Sequence, residues 1–72
     1  MEYLTAVERN RQGEIINFQT SEGRIISYRK AAEEIKNGKI GRAQVLPDGS
    51  GLPKIVPDDP EDQDFAGYPP IF

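Results

Sequence analysis

Only one stretch of this sequence carries helical periodicity, and it lies between segments that read as strands. In Tyr28-Arg29-Lys30-Ala31-Ala32-Glu33-Glu34-Ile35-Lys36, the apolar positions Tyr28, Ala31, Ala32 and Ile35 recur at i, i+3, i+4 and i+7, which makes one stripe on a helix. Ser27 offers a side-chain oxygen to the first free amides of that helix, and Asn37-Gly38 supplies a left-handed stop. A stripe of this kind is stable only against another layer, and the rest of the chain can provide nothing but β-structure. The expected fold class is therefore α+β: a small antiparallel sheet in the order β-β-β-α-β-β with one helix packed on it, followed by an extended C-terminal tail.

The strands are read from β-branched and aromatic runs divided by glycine turns. Tyr3 to Glu8 places Tyr3, Thr5 and Val7 on one face; Asn10-Arg11-Gln12-Gly13 turns the chain; Glu14 to Thr20 returns with Ile16 and Phe18 on one side. Ser21-Glu22-Gly23 is a second turn, and Arg24-Ile25-Ile26 completes a three-stranded meander. After the helix, Ile40 to Leu46 and Leu52 to Val56 flank the turn chemistry of Pro47-Asp48-Gly49-Ser50-Gly51, so a second hairpin is expected, with Pro53 at a strand end or on an edge. Ile16 and Ile35 are expected in the core.

From Pro57 the composition changes. Asp58-Asp59-Pro60-Glu61-Asp62-Gln63-Asp64 has no apolar residue, and alone it cannot offset its ordering entropy, so an extended, mobile linker is expected. The domain is accordingly placed at residues 1–56, and residues 57–72 are set apart as an acidic linker and an aromatic, proline-rich tail. Of the 12 acids, five lie in that tail with no base, leaving seven against all 9 bases in the body.

Size and composition exclude much. At 72 residues there is room for one domain. A domain this short buries only about 60% of its unfolded surface, and its core seldom supplies more than about 3 to 5 kcal/mol. With no Cys, no His and no Trp, disulfides, Cys/His zinc sites, thiol nucleophiles and imidazole bases are all missing. Self-association or a terminal segment packed on the sheet are the remaining ways to enlarge the core. No apolar run is long enough to span a bilayer and the N-terminus has no secretory pattern, so no membrane contact and a cytoplasmic location are expected.

The groups with chemical potential have plainer readings. Glu33 and Glu34 are neighbours on a helix and point to different azimuths, and Asp58 and Asp59 fall in the linker; both pairs read as solvated surface. Ser21, Ser27 and Ser50 have no histidine to activate them and read as turn or cap residues. Pro60 and the missing terminal Glu break the calcium-loop template over Asp58–Asp64, and Gly49-Ser50-Gly51 lacks the spacing and Lys of a phosphate loop. No catalytic residue, cofactor or metal ligand is assigned.

Two sets remain as partner-binding candidates. The first is basic: Arg24, Arg29, Lys36 and Arg42 gather in sequence around the helix, with Arg29 and Lys36 on one helical face and Glu33 between them. The second is the tail set Phe65, Tyr68, Ile71 and Phe72. Its residues would either dock on the domain's own sheet or, through the polyproline-favouring Tyr68-Pro69-Pro70, present anchors to a partner.

The order and spacing of Gly13-Glu14-Ile15, Gly23-Arg24-Ile25-Ile26-Ser27, Ala31-Ala32 with Ile35, Gly38-Lys39-Ile40, Pro53-Lys54 and the terminal Pro70-Ile71-Phe72 resemble a family of short bacterial and phage proteins catalogued as a domain of unknown function. The resemblance spans nearly the whole chain and implies a compact α+β fold. It departs near the end, where Phe65-Ala66 and Tyr68-Pro69 stand in place of the family's Asn-Leu and Leu-Pro pairs. It implies no activity.

The expected function is a non-catalytic module that binds another protein through the sheet edge, the helix face or the aromatic tail. The alternative is a homo-oligomer that sequesters a small molecule or nucleotide, as a phage counter to host machinery, with a subunit-interface pocket lined by Arg24, Arg29 or Arg42. Nucleic-acid binding ranks below both because the pI is near 4.8; an enzyme ranks last.

Overall fold

The computed structural model describes residues 1–47, 53–62 and 64–72, which form β1 (Glu2–Arg9), β2 (Ile15–Thr20), β3 (Ile25–Ser27), α1 (Tyr28–Lys36), β4 (Ile40–Gly41), β5 (Ala43–Pro47) and β6 (Pro53–Pro57). The two turns of the meander form as their side chains dictate. Asn10 Oδ1 accepts from the amides of Gln12 and Glu14, both at 2.9 Å, and Gly13 takes φ +84°. Thr20 Oγ1 likewise accepts from the amides of Glu22 and Arg24, and Gly23 takes φ +85°. Each turn needs a positive φ that only glycine adopts without strain.

The register holds two bulges that alternation in the sequence does not reveal. Leu4 pairs with Thr20 but Ala6 with Gln19, so Thr5 is an extra residue on β1; Glu8 pairs with Asn17 but Arg9 with Ile15, so Ile16 is an extra residue on β2. Both faces are thereby re-aimed. The expected face of Tyr3, Thr5 and Val7 gives way to Leu4 and Val7 in the core, and the expected core residue Ile16 is 40% exposed while its neighbour Ile15 packs against the core.

The helix forms as read. Ser27 Oγ accepts from the Lys30 amide at 3.1 Å, Asn37 is the C-cap, and Gly38 follows with φ +75°. Ala31 and Ala32 are buried, and Tyr28 and Ile35 pack against the same cluster. After this crossover, β4 lies parallel to β1, with Glu2 opposite Ile40 and Tyr3 opposite Gly41, giving the order β3-β2-β1-β4. One pairing thus departs from the all-antiparallel expectation, since a helix returning the chain across a sheet brings the next strand in parallel. Arg42, at φ +63°, ends β4, and β5 and β6 form their own antiparallel pair. Pro53 begins β6, the strand-end position expected of it. The turn expected around Asp48–Gly51 lies outside the described residues.

The helix packs on both sheets, and one core lies between them: Leu4, Val7, Phe18, Ile26, Ala31, Ala32, Ile40, Ile55 and Phe65. Tyr28 also links the layers, its hydroxyl oxygen accepting from the Ile55 amide at 2.7 Å. Phe65, from the C-terminal tail, is as deeply enclosed as any strand residue.

Candidate functional site

The tail reaches the core through a folded turn, where an extended linker was expected. Asp59 Oδ1 accepts from the Glu61 amide, the Asp62 amide donates to the Asp59 carbonyl, and the Asp62 carboxylate accepts from the amides of Ala66 at 2.9 Å, Gly67 at 3.2 Å and Asp64 at 3.4 Å. These short-range bonds supply the ordering that apolar residues do not. Burial works against the charge on Asp62, but the amides of Gly67, Ala66, Asp64 and Phe65 outweigh it and hold the carboxyl below its usual range.

Phe65 follows at φ +62°, unusual for a bulky residue. Its ring meets Phe18 edge-on at 5.1 Å and Tyr68 edge-on at 4.9 Å, and contacts of this kind over-determine the backbone strain. Beyond it the chain pairs with β1. Strand β4 covers the outer edge of β1 only at Glu2 and Tyr3, which leaves the backbone of Val7 available. The Val7 amide donates to the Pro69 carbonyl and the Ile71 amide donates to the Val7 carbonyl, both at 3.0 Å, in a parallel bridge between Val7 and Pro70. Proline suits position 70 because Val7 bonds the residues on either side of it, Pro69 and Ile71, so no amide is required of residue 70 itself. Arg9 secures the same end, donating from Nη2 to the Asp64 carbonyl and from Nη1 to the Gly13 carbonyl, both at 2.9 Å.

This docking creates a groove of about 400 Å³ lined by Val7, Glu8, Arg9, Tyr68, Pro70 and Ile71, with Phe72 at its rim. Phe72 is 85% exposed. The Tyr68 ring forms one wall of the groove, and burial pushes its phenol up, with Asp62 and Asp59 adding to the shift. A smaller groove of about 290 Å³ lies beside Leu46, Val56 and Asp58 on the second sheet.

The tail candidates therefore separate. Phe65 is spent inside the protein's own core, Tyr68 and Ile71 are half-buried walls, and Phe72 alone is presented to solvent. The basic candidates do not converge. Arg24 donates from Nε and Nη2 to the Glu2 carboxylate, at 2.9 and 2.7 Å, and from Nη1 and Nη2 to the Glu34 carboxylate, at 3.2 and 2.6 Å. Hydrogen bonding to Arg24 holds both carboxyls below their usual range, with Thr20 contributing at Glu2, and raises the guanidinium further above its own. Arg42 lies over the Tyr3 ring, 4.1 Å from its centroid, a cation–π contact. Arg29 and Lys36 remain exposed on α1.

Sequence reasoning missed Val7, Glu8 and Arg9 as groove residues, and Glu2 and Glu34 as partners of Arg24. Counting unlike charges pairs Arg24 with an acid without saying which, and no local signal brings residue 7 to residue 70. Among the described residues no three His, Cys, Asp or Glu side chains are grouped to hold a metal ion, and no helix is long and apolar enough to cross a membrane.

The family model described as a protein of unknown function (DUF3892) matches residues 3–63, and the chain belongs to that family. No curated protein and no solved structure matches it. The matched span ends before Phe65, so the segment that closes the core and forms the groove lies beyond it.

Proposed function

We propose that this protein is a non-catalytic interaction module that binds another protein at the groove between β1 and the C-terminal segment. The observation that carries the reading is Phe72, a large aromatic side chain 85% exposed at the rim of an apolar-walled groove. A single exposed aromatic is ordinary on a monomer, but Phe72 adjoins Val7, Tyr68, Pro70 and Ile71 in one apolar patch, and contiguous patches of this kind mark interaction sites, where aromatic residues contribute most to affinity. The groove stands on a hydrogen-bonded strand edge anchored by Phe65, so little ordering remains to be done on binding. The Arg24 guanidinium bridges the Glu2 and Glu34 carboxylates in a brace between β1, the β2–β3 turn and α1, which favours a structural over a catalytic use of these groups. The sequestering reading requires arginines around one pocket, and Arg24 and Arg42 are engaged elsewhere.

Affinity capture on immobilised protein tests the proposal. Phe72→Asp should abolish retention of a specific partner while the melting curve stays that of the parent. Retention that survives Phe72→Asp and is lost in Arg29→Glu/Lys36→Glu would move the surface to the helix and overturn the assignment. Substrate turnover lost on replacing one carboxylate would overturn the non-catalytic reading.

A further inference from the structure

We propose that the occupant of this groove is a second copy of the same chain, arranged about a two-fold axis so that each Phe72 enters the other copy's groove. The inference rests on the reading that the groove is a docking surface, and it names the partner.

A two-fold interface must be complementary to itself, because one patch serves both sides. Few patches satisfy that condition, and this one does in shape. It contains both a projecting ring, Phe72, and an apolar recess walled by Val7, Tyr68, Pro70 and Ile71, with about 400 Å³ of space. The charges satisfy it as well. Glu8 and Arg9 both line the groove, and among the described residues neither has a charged partner. Their hydrogen bonds go to neutral groups: Glu8 Oε1 accepts from Asn17 Nδ2 at 2.8 Å, and Arg9 donates to the carbonyls of Gly13 and Asp64. Each side chain is thereby oriented while its charge stays unmatched. Reversing the patch about a two-fold axis brings Glu8 of one copy toward Arg9 of the other, twice, so unlike charges meet where a parallel arrangement would oppose like charges.

The area sets the strength. An aromatic side chain buries roughly 150–250 Å², so two Phe72 rings contribute on the order of 300–500 Å². The walls they cover add to this, yet the total stays near or below the roughly 1,200 Å² of a stable complex. The dimer is therefore concentration-dependent.

Sedimentation equilibrium of the full chain between about 10 μM and about 1 mM tests it, a range that brackets weak association. The apparent mass should rise from 8.1 kDa toward twice that value. Phe72→Asp should weaken association by at least about tenfold, as expected for a central aromatic anchor. Glu8→Arg, which leaves the hydrogen bonds of Arg9 to Gly13 and Asp64 in place, should weaken it by opposing like charges, and raised salt should relieve part of that loss, with far-UV circular dichroism confirming that each variant is folded. A dimer indifferent to Phe72→Asp, or one that Glu8→Arg does not weaken at low salt, overturns the proposal. A monomer throughout the range also overturns it, and the capture experiment then separates two cases. If Phe72→Asp still abolishes retention of a foreign protein, the docking surface stands with a different occupant; if it does not, both readings fall.

Discussion

The meander with its helix and the C-terminal segment belong to one core, yet they are organised by opposite means. In the meander, each turn and cap is made by residues within about four positions of one another: Asn10 with Gln12 and Glu14, Thr20 with Glu22 and Arg24, Ser27 with Lys30. The C-terminal segment uses the same short-range bonds at Asp62, but its place is set by residues far away in sequence, Phe18 and Val7. Local bonds shape a segment and distant ones locate it. A small domain needs both, because its own strands and helix enclose too little apolar surface.

The sharpest way to break this comparison is to ask whether the tail stabilises as much as the meander. Phe18→Ala and Phe65→Ala each remove a fully enclosed ring and should each cost about 3–5 kcal/mol, comparable to the entire stability of a domain this size. Urea unfolding of the two variants checks it. If Phe65→Ala keeps the parent's midpoint while Phe18→Ala unfolds, the tail is an accessory and not part of the core.

A smaller effect concerns the brace that ties the N-terminal strand to the helix. Glu2 and Glu34 have carboxyls lowered from 4.5 in the folded protein, so their contribution is fully present above that pH and is lost as the pH falls through the lower folded values. The parent's melting temperature should therefore decline as the solution is acidified below about pH 4.5. Glu34→Gln should start lower at neutral pH and decline less. An identical pH profile in the two proteins would mean that Arg24 does not depend on Glu34.

The smallest expected change is at the bulge. Ile16→Ala should shift stability by no more than about 1 kcal/mol, because the residue is largely outside the core, whereas Ile15→Ala should cost more. Thermal melts of the pair would show it, and the reverse order would mean that β2 pairs without its extra residue.

These positions also mark what could be read in advance. Gly13, Gly23, Ser27 and Gly38 work where the sequence places them, since a positive φ or a cap involves only near neighbours. Ile16 misled because alternation assumes an unbroken ladder, and a bulge on either partner shifts every later residue to the opposite face. Asp58–Asp64 misled because composition measures apolar content and does not count the amides that an aspartate can gather. For the candidate site, Tyr68, Ile71 and Phe72 were legible as apolar residues in need of a surface, but Glu8 and Arg9 looked like ordinary strand charges.

By itself, the sequence determined the α+β class, the meander, the limits of the helix and the absence of thiol and imidazole chemistry. The tertiary structure alone decided that β4 runs parallel to β1, that Arg24 joins Glu2 to Glu34, that Phe65 faces inward and Phe72 outward, and that a groove exists between them. The division follows from distance along the chain. Dihedral preferences and caps act over a few residues and are written where they operate, while a docking edge exists only after strands remote in sequence have paired and left one side of Val7 open.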